Sequence, residues 1–585
     1  MMGKRHSSTL VLLLLFISLS LVSASGTVLV DEVYYKAYSG KSNEFVHLVN
    51  TGPSSINISG WHLSDLEGNV SIPQGTVLGP GDGYYISQTE GNFTAIMGFA
   101  PDLTFQHQGS TLFGLRNDGD EVLLLDDSGN VVDSIIYGDS EHSGDGWEGP
   151  PVPGVYSGKI LERRGMQDTN TSLDWAAPYE FSIGQSRFGP VSSDADGVSV
   201  FSSPGSSLDV LYSSIMEADS SIDIGMYQFT HPVLFEALEE RSQDVKVRIL
   251  LEGNPVGGIS KDEMSIIKAL DSAGARIRLL YHEPDIHIYD RFNYLHAKYM
   301  VIDNDTIIVM SENWNTNGVP YPGEEGNRGW GAVVEDAELA TGLEEIFEFD
   351  WNPKMEDSVA WDDSRLDLPE PGSSPEPESY LYVDPEVPKI ENAKVTLLAT
   401  PDNAHAQILE LIEGAEESIQ VQQLYIRNWN EMENPYLTSL YDAAERGCQI
   451  NILLDNTDWD GYGGADNQYI LDQIQDDYEG SNLHVRLMDN EAHGINTVHN
   501  KGMIVDGKYV LVSSINWNEH SPTENREIGI IIESEEAASY YSDIFWDDWE
   551  SEDLPQLTIE MLYIEIGALA FLMIIVLVFF IKKIG

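Results

Sequence analysis

His296-Ala297-Lys298-Tyr299-Met300-Val301-Ile302-Asp303, followed by Ser311-Glu312-Asn313-Trp314-Asn315, returns 203 positions later as His499-Asn500-Lys501-Gly502-Met503-Ile504-Val505-Asp506 and Ser514-Ile515-Asn516-Trp517-Asn518. In both copies the serine lies 15 residues after the histidine and the first asparagine 17. The flanking runs, Tyr299 to Ile302 with Thr306 to Val309 and Met503 to Val505 with Tyr509 to Val512, are strand-like. Each copy therefore predicts a β-hairpin, turning at Asn304-Asp305 or Gly507-Lys508. Alternation along a strand puts the His and the Lys on one face. A lone His or Lys is commonly a surface residue, but two copies with matched offsets point to a shared task.

The same repetition extends outward. Ser207 to Ala218 has Leu208, Leu211 and Ile215 at helical spacing, and a strand at Ser221 to Phe229, a helix near Pro232 to Ser242 and a strand at Val245 to Leu251 follow. The order returns as helix Gln407 to Glu417, strand Ser418 to Ile426, helix Tyr436 to Arg446 and strand Gln449 to Leu454. Pro204 and Pro401 are 197 apart and Ile249 and Ile452 are 203 apart, which implies a six-residue insertion near Asn430 to Asn434. These are duplicated α/β halves, expected over 195–355 and 391–552. A Pro/Glu/Ser-rich linker is expected between them over 356–390.

Ahead of the halves, residues 27–189 hold short strand-like runs broken by Gly, Pro, Asn and Asp, which predicts an all-β sandwich. At the start, Lys4, Arg5 and His6 precede an apolar run ending in Val22-Ser23-Ala24, so 1–24 is expected to be a signal peptide. At the end, Leu562 to Ile581 is 20 residues long with one charge, and Lys582-Lys583 follows. That pattern predicts one transmembrane helix over 562–581. The expectation is a single-pass protein of the cell membrane, with its N-terminal domains extracellular and a short cytoplasmic tail.

The formal charge is -65, from 96 acidic and 31 basic side chains. Such a surface repels nucleic acid and anionic lipid at low salt, and suits a salt-adapted, archaeal protein. Only one cysteine is present, Cys448, so no intramolecular disulfide forms. Its place in the repeat makes it a small core residue.

The repeated groups suggest the chemistry. Two imidazoles can serve as nucleophile and general acid, and two ammonium groups with Ser and Asn side chains can bind the oxygens of a phosphate. A metal site is disfavoured, because a Lys beside each His already supplies positive charge. A Ser-His-Asp hydrolase is disfavoured too, since no Gly-x-Ser-x-Gly surrounds a serine here. Asp303 and Asp506, near the hairpin turns, fit a structural supporting role.

From Val198 to Glu550 the paired motif closely resembles the phospholipase D superfamily, with its HxKxxxxD signature followed by a Ser-x-Asn element. The resemblance implies a bilobal fold with both copies in one active site, and a two-step reaction without metal or other cofactor. It casts His296 as nucleophile and His499 as acid and then base, although the symmetry leaves their order open. Lys298, Lys501, Asn313 and Asn516 would hold the phosphate, with Ser311 and Ser514 in support. Family members orient each His with a carboxylate after the motif, and Glu527 in Asn525-Arg526-Glu527 fits. In the first half Asn327-Arg328 is followed by Gly329, so Glu324 or Glu325 is expected to substitute. Met310 stands where the family has a small residue. The pieces Glu44 to Asn50, Gly60-Trp61-His62-Leu63, Gly79-Pro80-Gly81 and Leu161-Glu162-Arg163 resemble the lamin-tail domain, an immunoglobulin-like sandwich. The expected function is that of a cell-surface phosphodiesterase, with phospholipid the first-choice substrate and membrane contact through the C-terminal helix. The alternatives are a nuclease of the same superfamily and a non-catalytic surface protein that binds an anion.

Overall fold

A computed structural model describes residues 28–550, apart from 38–42, 98, 106–112, 145, 156–158, 164–167, 176–185, 187, 287, 289, 354–356, 373–379, 430–432, 458–466 and 479. The chain divides into two compact units at Glu180/Phe181.

In the first unit, strand Val28–Tyr34 lies between Phe45–Asn50 and Leu161–Glu162, and Gly83–Ser87 continues that sheet. A second sheet is formed by Val131–Gly138, Gly119–Leu125, His62–Ser64 and Asn69–Ser71. Val30, Leu48 and Ile86 from one sheet meet Leu63, Val122, Leu124 and Ile135 from the other in one apolar core. A buried ion pair crosses between the sheets. Arg163 donates to both Asp133 oxygens at 2.9 and 2.7 Å and to the Val30 carbonyl at 2.8 Å, while its guanidinium covers the Trp175 ring. Burial raises Asp133 to about 6 even with Arg163 opposing it. Removing the guanidinium would leave a carboxylate stranded between the sheets.

The second unit has two large mixed sheets with one strand order. In the first half it runs Arg276–Leu280, Lys246–Glu252, Ser221–Met226, Lys298–Ile302, Thr306–Met310, Gly326–Glu335, Gly197–Ser203. In the second it runs Leu483–Leu487, Gln449–Leu454, Ser418–Gln423, Lys501–Val505, Tyr509–Ser513, Ile528–Glu533, Ala393–Ala399. The first three strands of each are parallel and alternate with helices, as buried parallel strands require. The halves share a core: Val301, Val309, Trp330 and Ala332 pack in one cluster with Ile504, Val512, Ile530 and Tyr541.

Edge strands are exchanged. Val191–Ala195 precedes the first half yet pairs with Ala393–Ala399 of the second, and Lys389–Ile390 precedes the second half yet pairs with Gly197–Ser203 of the first. Within the expected linker, Ser358–Ala360 also adds an edge strand to the first sheet.

Two expectations are corrected. The hairpin turns sit one residue earlier than expected: Asp303 and Asn304 have φ of 53° and 59°, Asp506 and Gly507 53° and 58°. Each loop has three residues between the last paired positions, Ile302–Thr306 and Val505–Tyr509, and its first two take positive φ, which Asp, Asn and Gly tolerate best. The second correction concerns the fold class. Among the described residues no helix is long and apolar enough to cross a membrane. The longest of them, Ala337–Trp351 and Glu535–Trp549, have 15 residues, where a crossing takes about 20 apolar ones. The architecture is thus a β-domain followed by a duplicated α/β unit. The transmembrane helix, the anchoring through it and the single-pass placement are not retained. The segments read as signal peptide (1–24) and crossing (562–581) lie outside the described residues.

Candidate active site

Each histidine lies two residues before the first residue of a central strand, and each is pinned by the opposite half. The His296 N–H donates to the Arg526 carbonyl at 2.9 Å, and the His499 N–H donates to the Arg328 carbonyl at 2.9 Å. Behind each loop stands a buried carboxylate. Glu252 accepts the N–H of Leu295 at 2.6 Å, and Asp455 accepts that of Val498 at 2.7 Å. Burial pushes Glu252 up to about 8, although the N–H groups of Asn254 and Leu295 pull it down.

The side chains converge from both halves. Glu527 accepts a hydrogen bond from His296 Nδ1 at 2.8 Å. Glu527 itself is held by Ser521 Oγ and, at 3.1 Å, by Asn525 Nδ2. Lys298 and Lys501 are fully buried and each donates to the backbone carbonyl of its own histidine, Lys501 at 2.5 Å. Tyr227 stacks edge-on against His296 and faces the Lys298 ammonium at 5.2 Å.

Electrostatics ties these groups into one site. Burial presses His296 down to about 4 against the pull of Glu527, and the Lys298 and Lys501 charges press the same way. His499 is lowered by burial and by Lys501, with Glu312 opposing and Lys298 adding to the lowering. Burial holds Lys298 well below its ordinary range and brings Lys501 to about 8, while Glu312 and Glu527 resist both shifts. Burial pushes Glu527 up, but His296, Lys298 and Ser521 together bring it below its usual range. The histidines therefore rest neutral at pH 7, beside two buried lysines and two buried glutamates.

A buried carboxylate also stands beside the second histidine: Glu312, whose Oε2 lies 3.3 Å from His499 Nδ1. Glu324 and Glu325, the expected substitutes, sit in an exposed turn. The reading along the motif missed Glu312 because it searched the register of Glu527. A signal was present: Glu312 stands where the other copy has Ile515, and Gly329 stands where it has Glu527. Tyr227, opposite Leu424 in the repeat, was missed as well.

The remaining residues of the motif divide between site and scaffold. The side-chain oxygens of Asn313 and Asn516 have no hydrogen-bond partner among the described residues. Ser311 and Ser514 accept the N–H groups of Trp330 and Ile528 at 3.1 and 3.2 Å, which fixes the loop that carries each Asn. Asp303 accepts the N–H groups of Asp219, Ser220 and Ser221, and Asp506 those of Glu416, Glu417 and Ser418, all at 2.6 to 2.9 Å. These two carboxylates bind the hairpin to the start of the neighbouring strand. Trp314, Trp517 and Met310 are buried, Met310 in the core of its own half rather than at the site. Cys448 is buried and its Sγ contacts the Ala415 carbonyl at 3.3 Å.

A family profile described as "Cardiolipin synthase, PLD-like domain" matches residues 211–351 and again 408–549, and the Lamin Tail Domain profile matches 22–139. A phospholipase D of Rickettsia bellii is 26% identical over 169 residues, covering 29% of this chain and 74% of that protein. The mitochondrial cardiolipin hydrolase of Mus musculus is 27% identical over 154 residues, covering 25% of this chain and 58% of that protein. Among solved structures, the phosphatidylserine synthase of Haemophilus influenzae covers 63% of this chain and 93% of its own, with 15% identity and a TM-score of 0.43. The chain belongs to the phospholipase D superfamily, a superfamily of phosphodiesterases, with its motif in two copies behind an N-terminal lamin tail domain.

Proposed function

We propose that the protein hydrolyses a phosphodiester through a phosphohistidine, with phospholipid as the substrate. The observation that carries this reading is the pair of buried His–carboxylate contacts, each made across the two halves, around two buried lysines. With its Nδ1–H donating to Glu527, neutral His296 presents the Nε2 lone pair. That atom attacks phosphorus, a P–N bond forms and the P–O bond to the leaving alcohol breaks. His499 gives its Nε2 proton to the alcohol oxygen. It then takes a proton from water as the oxygen of that water attacks phosphorus and the P–N bond breaks, which restores His296. The diester's negative charge raises His499 on binding, so it enters the first step protonated. Lys298, Lys501 and the amide groups of Asn313 and Asn516 surround the non-bridging oxygens, whose charge grows in the transition state.

The named relatives act on phospholipid, and the net charge of -65 opposes the Lys/Arg-driven binding that a nucleic acid backbone demands. The test is turnover of the purified protein on labelled phospholipids and on single- and double-stranded DNA, with EDTA present. Release of a head group with DNA left intact is expected. Cleavage of DNA alone would make the protein a nuclease, and dependence on an added divalent cation would remove the two-histidine scheme.

A further inference from the structure

We infer that Glu312 is the positioning residue for His499, filling from inside the Ser-x-Asn element the place that Glu527 fills for His296. The inference rests on the two-histidine reading above and deepens it.

Strand register defines what is equivalent. Ser311 exchanges bonds with Trp330, and Ser514 with Ile528, so residue 329 corresponds to residue 527. Residue 329 is glycine. A Cβ built there would lie 2.3 Å from Glu312 Oε1 and 2.5 Å from Ser311 Oγ. The Glu312 carboxylate thus already occupies the volume that a side chain from 329 would enter.

The surroundings match too. Asn327 Nδ2 donates to Glu312 at 3.2 Å, as Asn525 Nδ2 donates to Glu527 at 3.1 Å. One asparagine of the repeat therefore holds the carboxylate on each side, whichever strand supplies it. Glu312 is fully buried in a half-site whose other titratable groups are His499, Lys501 and Lys298, with Glu527 and Asp455 also acting on Lys501. A buried carboxylate facing an imidazole fixes its tautomer and favours its protonated form.

The two sides are not equal in support. Ser521 gives Glu527 a hydroxyl, whereas the matching residue of the first half is Gly318, and Glu312 Oε1 has no partner among the described residues. The His499 contact is the longer of the two, 3.3 against 2.8 Å.

The test uses the full-length protein and the nearly isosteric Glu312→Gln. The turnover number is expected to fall about 100-fold with KM within about threefold, because positioning an acid–base group acts on the chemical step. NMR of histidines labelled at Cε1 should show one imidazole, absent from His499→Ala, titrating at lower pH in E312Q, with His296 unmoved. Glu312→Ile combined with Gly329→Glu returns the carboxylate to the Glu527 register and should recover most of the lost turnover. An unchanged turnover number and an unchanged His499 titration in E312Q would overturn the inference, whatever the double variant does. The NMR readout needs no substrate, so a wild-type protein inert on every phosphodiester would defeat the proposed function without deciding the role of Glu312.

Discussion

The two halves of the α/β unit share strand order, hairpin, Lys-to-carbonyl bond and cross-half clamp, yet they obtain their carboxylates from different places. His296 faces Glu527, which comes from just before a strand of the opposite half. His499 faces Glu312, which comes from the loop after a hairpin strand, again of the opposite half. What the duplication preserves is a position in space, defined by the Asn327 or Asn525 amide and the histidine. The residue number that fills it is free to move. Identity along a motif is a weaker constraint than the location of a buried charge, because an uncompensated change in such a charge costs several kcal/mol.

The strongest way to break the comparison is at the histidines. His296→Ala and His499→Ala should each lower turnover about 10,000-fold, since neither imidazole performs both phosphoryl and proton steps. Labelled-substrate turnover checks this, and appreciable activity in one variant would show that the halves are not partners. The next contrast is between the cross-half ion pairs. Arg526 is fully buried against Asp350 and Asp402 at 2.8 and 2.7 Å, while Arg328 meets Asp548 at 2.7 Å with 13% of its side chain exposed. Arg526→Met should destabilise the unit by about 3 to 5 kcal/mol in denaturant unfolding, and Arg328→Met by less, because the first strands two buried carboxylates and the second one. Equal losses would mean that the halves share the load evenly.

A smaller effect tests where the halves should agree. Asp303→Ala and Asp506→Ala remove matching clamps and should each cost about 1 to 2 kcal/mol by the same assay. The last concerns acid. Burial holds His296 at about 4 against its usual 6.5, so between these pH values the folded protein binds less than a full proton there and the unfolded chain binds more. Stability should therefore rise with pH from about 4 to 6.5, and His296→Ala should flatten that slope. A steeper slope in the variant would show that the imidazole is protonated in the fold.

Much of this was legible in the sequence, because repetition amplifies a weak signal. The helices and parallel strands followed from 3.6- and 2-residue periodicities, and the catalytic candidates from matched offsets. Pairing across halves was not legible, since no local pattern says that Leu295 meets Arg526 or that Ile495 meets Gly326. The hairpin turns were displaced by one residue because the first two loop positions take positive φ, a requirement that Asp303-Asn304 meets with no glycine. Glu312 escaped because a change at one position was compensated at another, 17 residues away along the chain and adjacent in space. Ser311 and Ser514 read as ligands of phosphate, whereas their hydroxyls are engaged with the neighbouring strand.

The exchanged edge strands bear on how the chain could be divided. A cut anywhere between Ala360 and Lys389 would separate two fragments, each retaining a strand of the other's sheet, Val191–Ala195 on one and Lys389–Ile390 on the other. Such fragments would be a complementing pair, able to find each other by β-pairing and to close the shared centre without a peptide link between them.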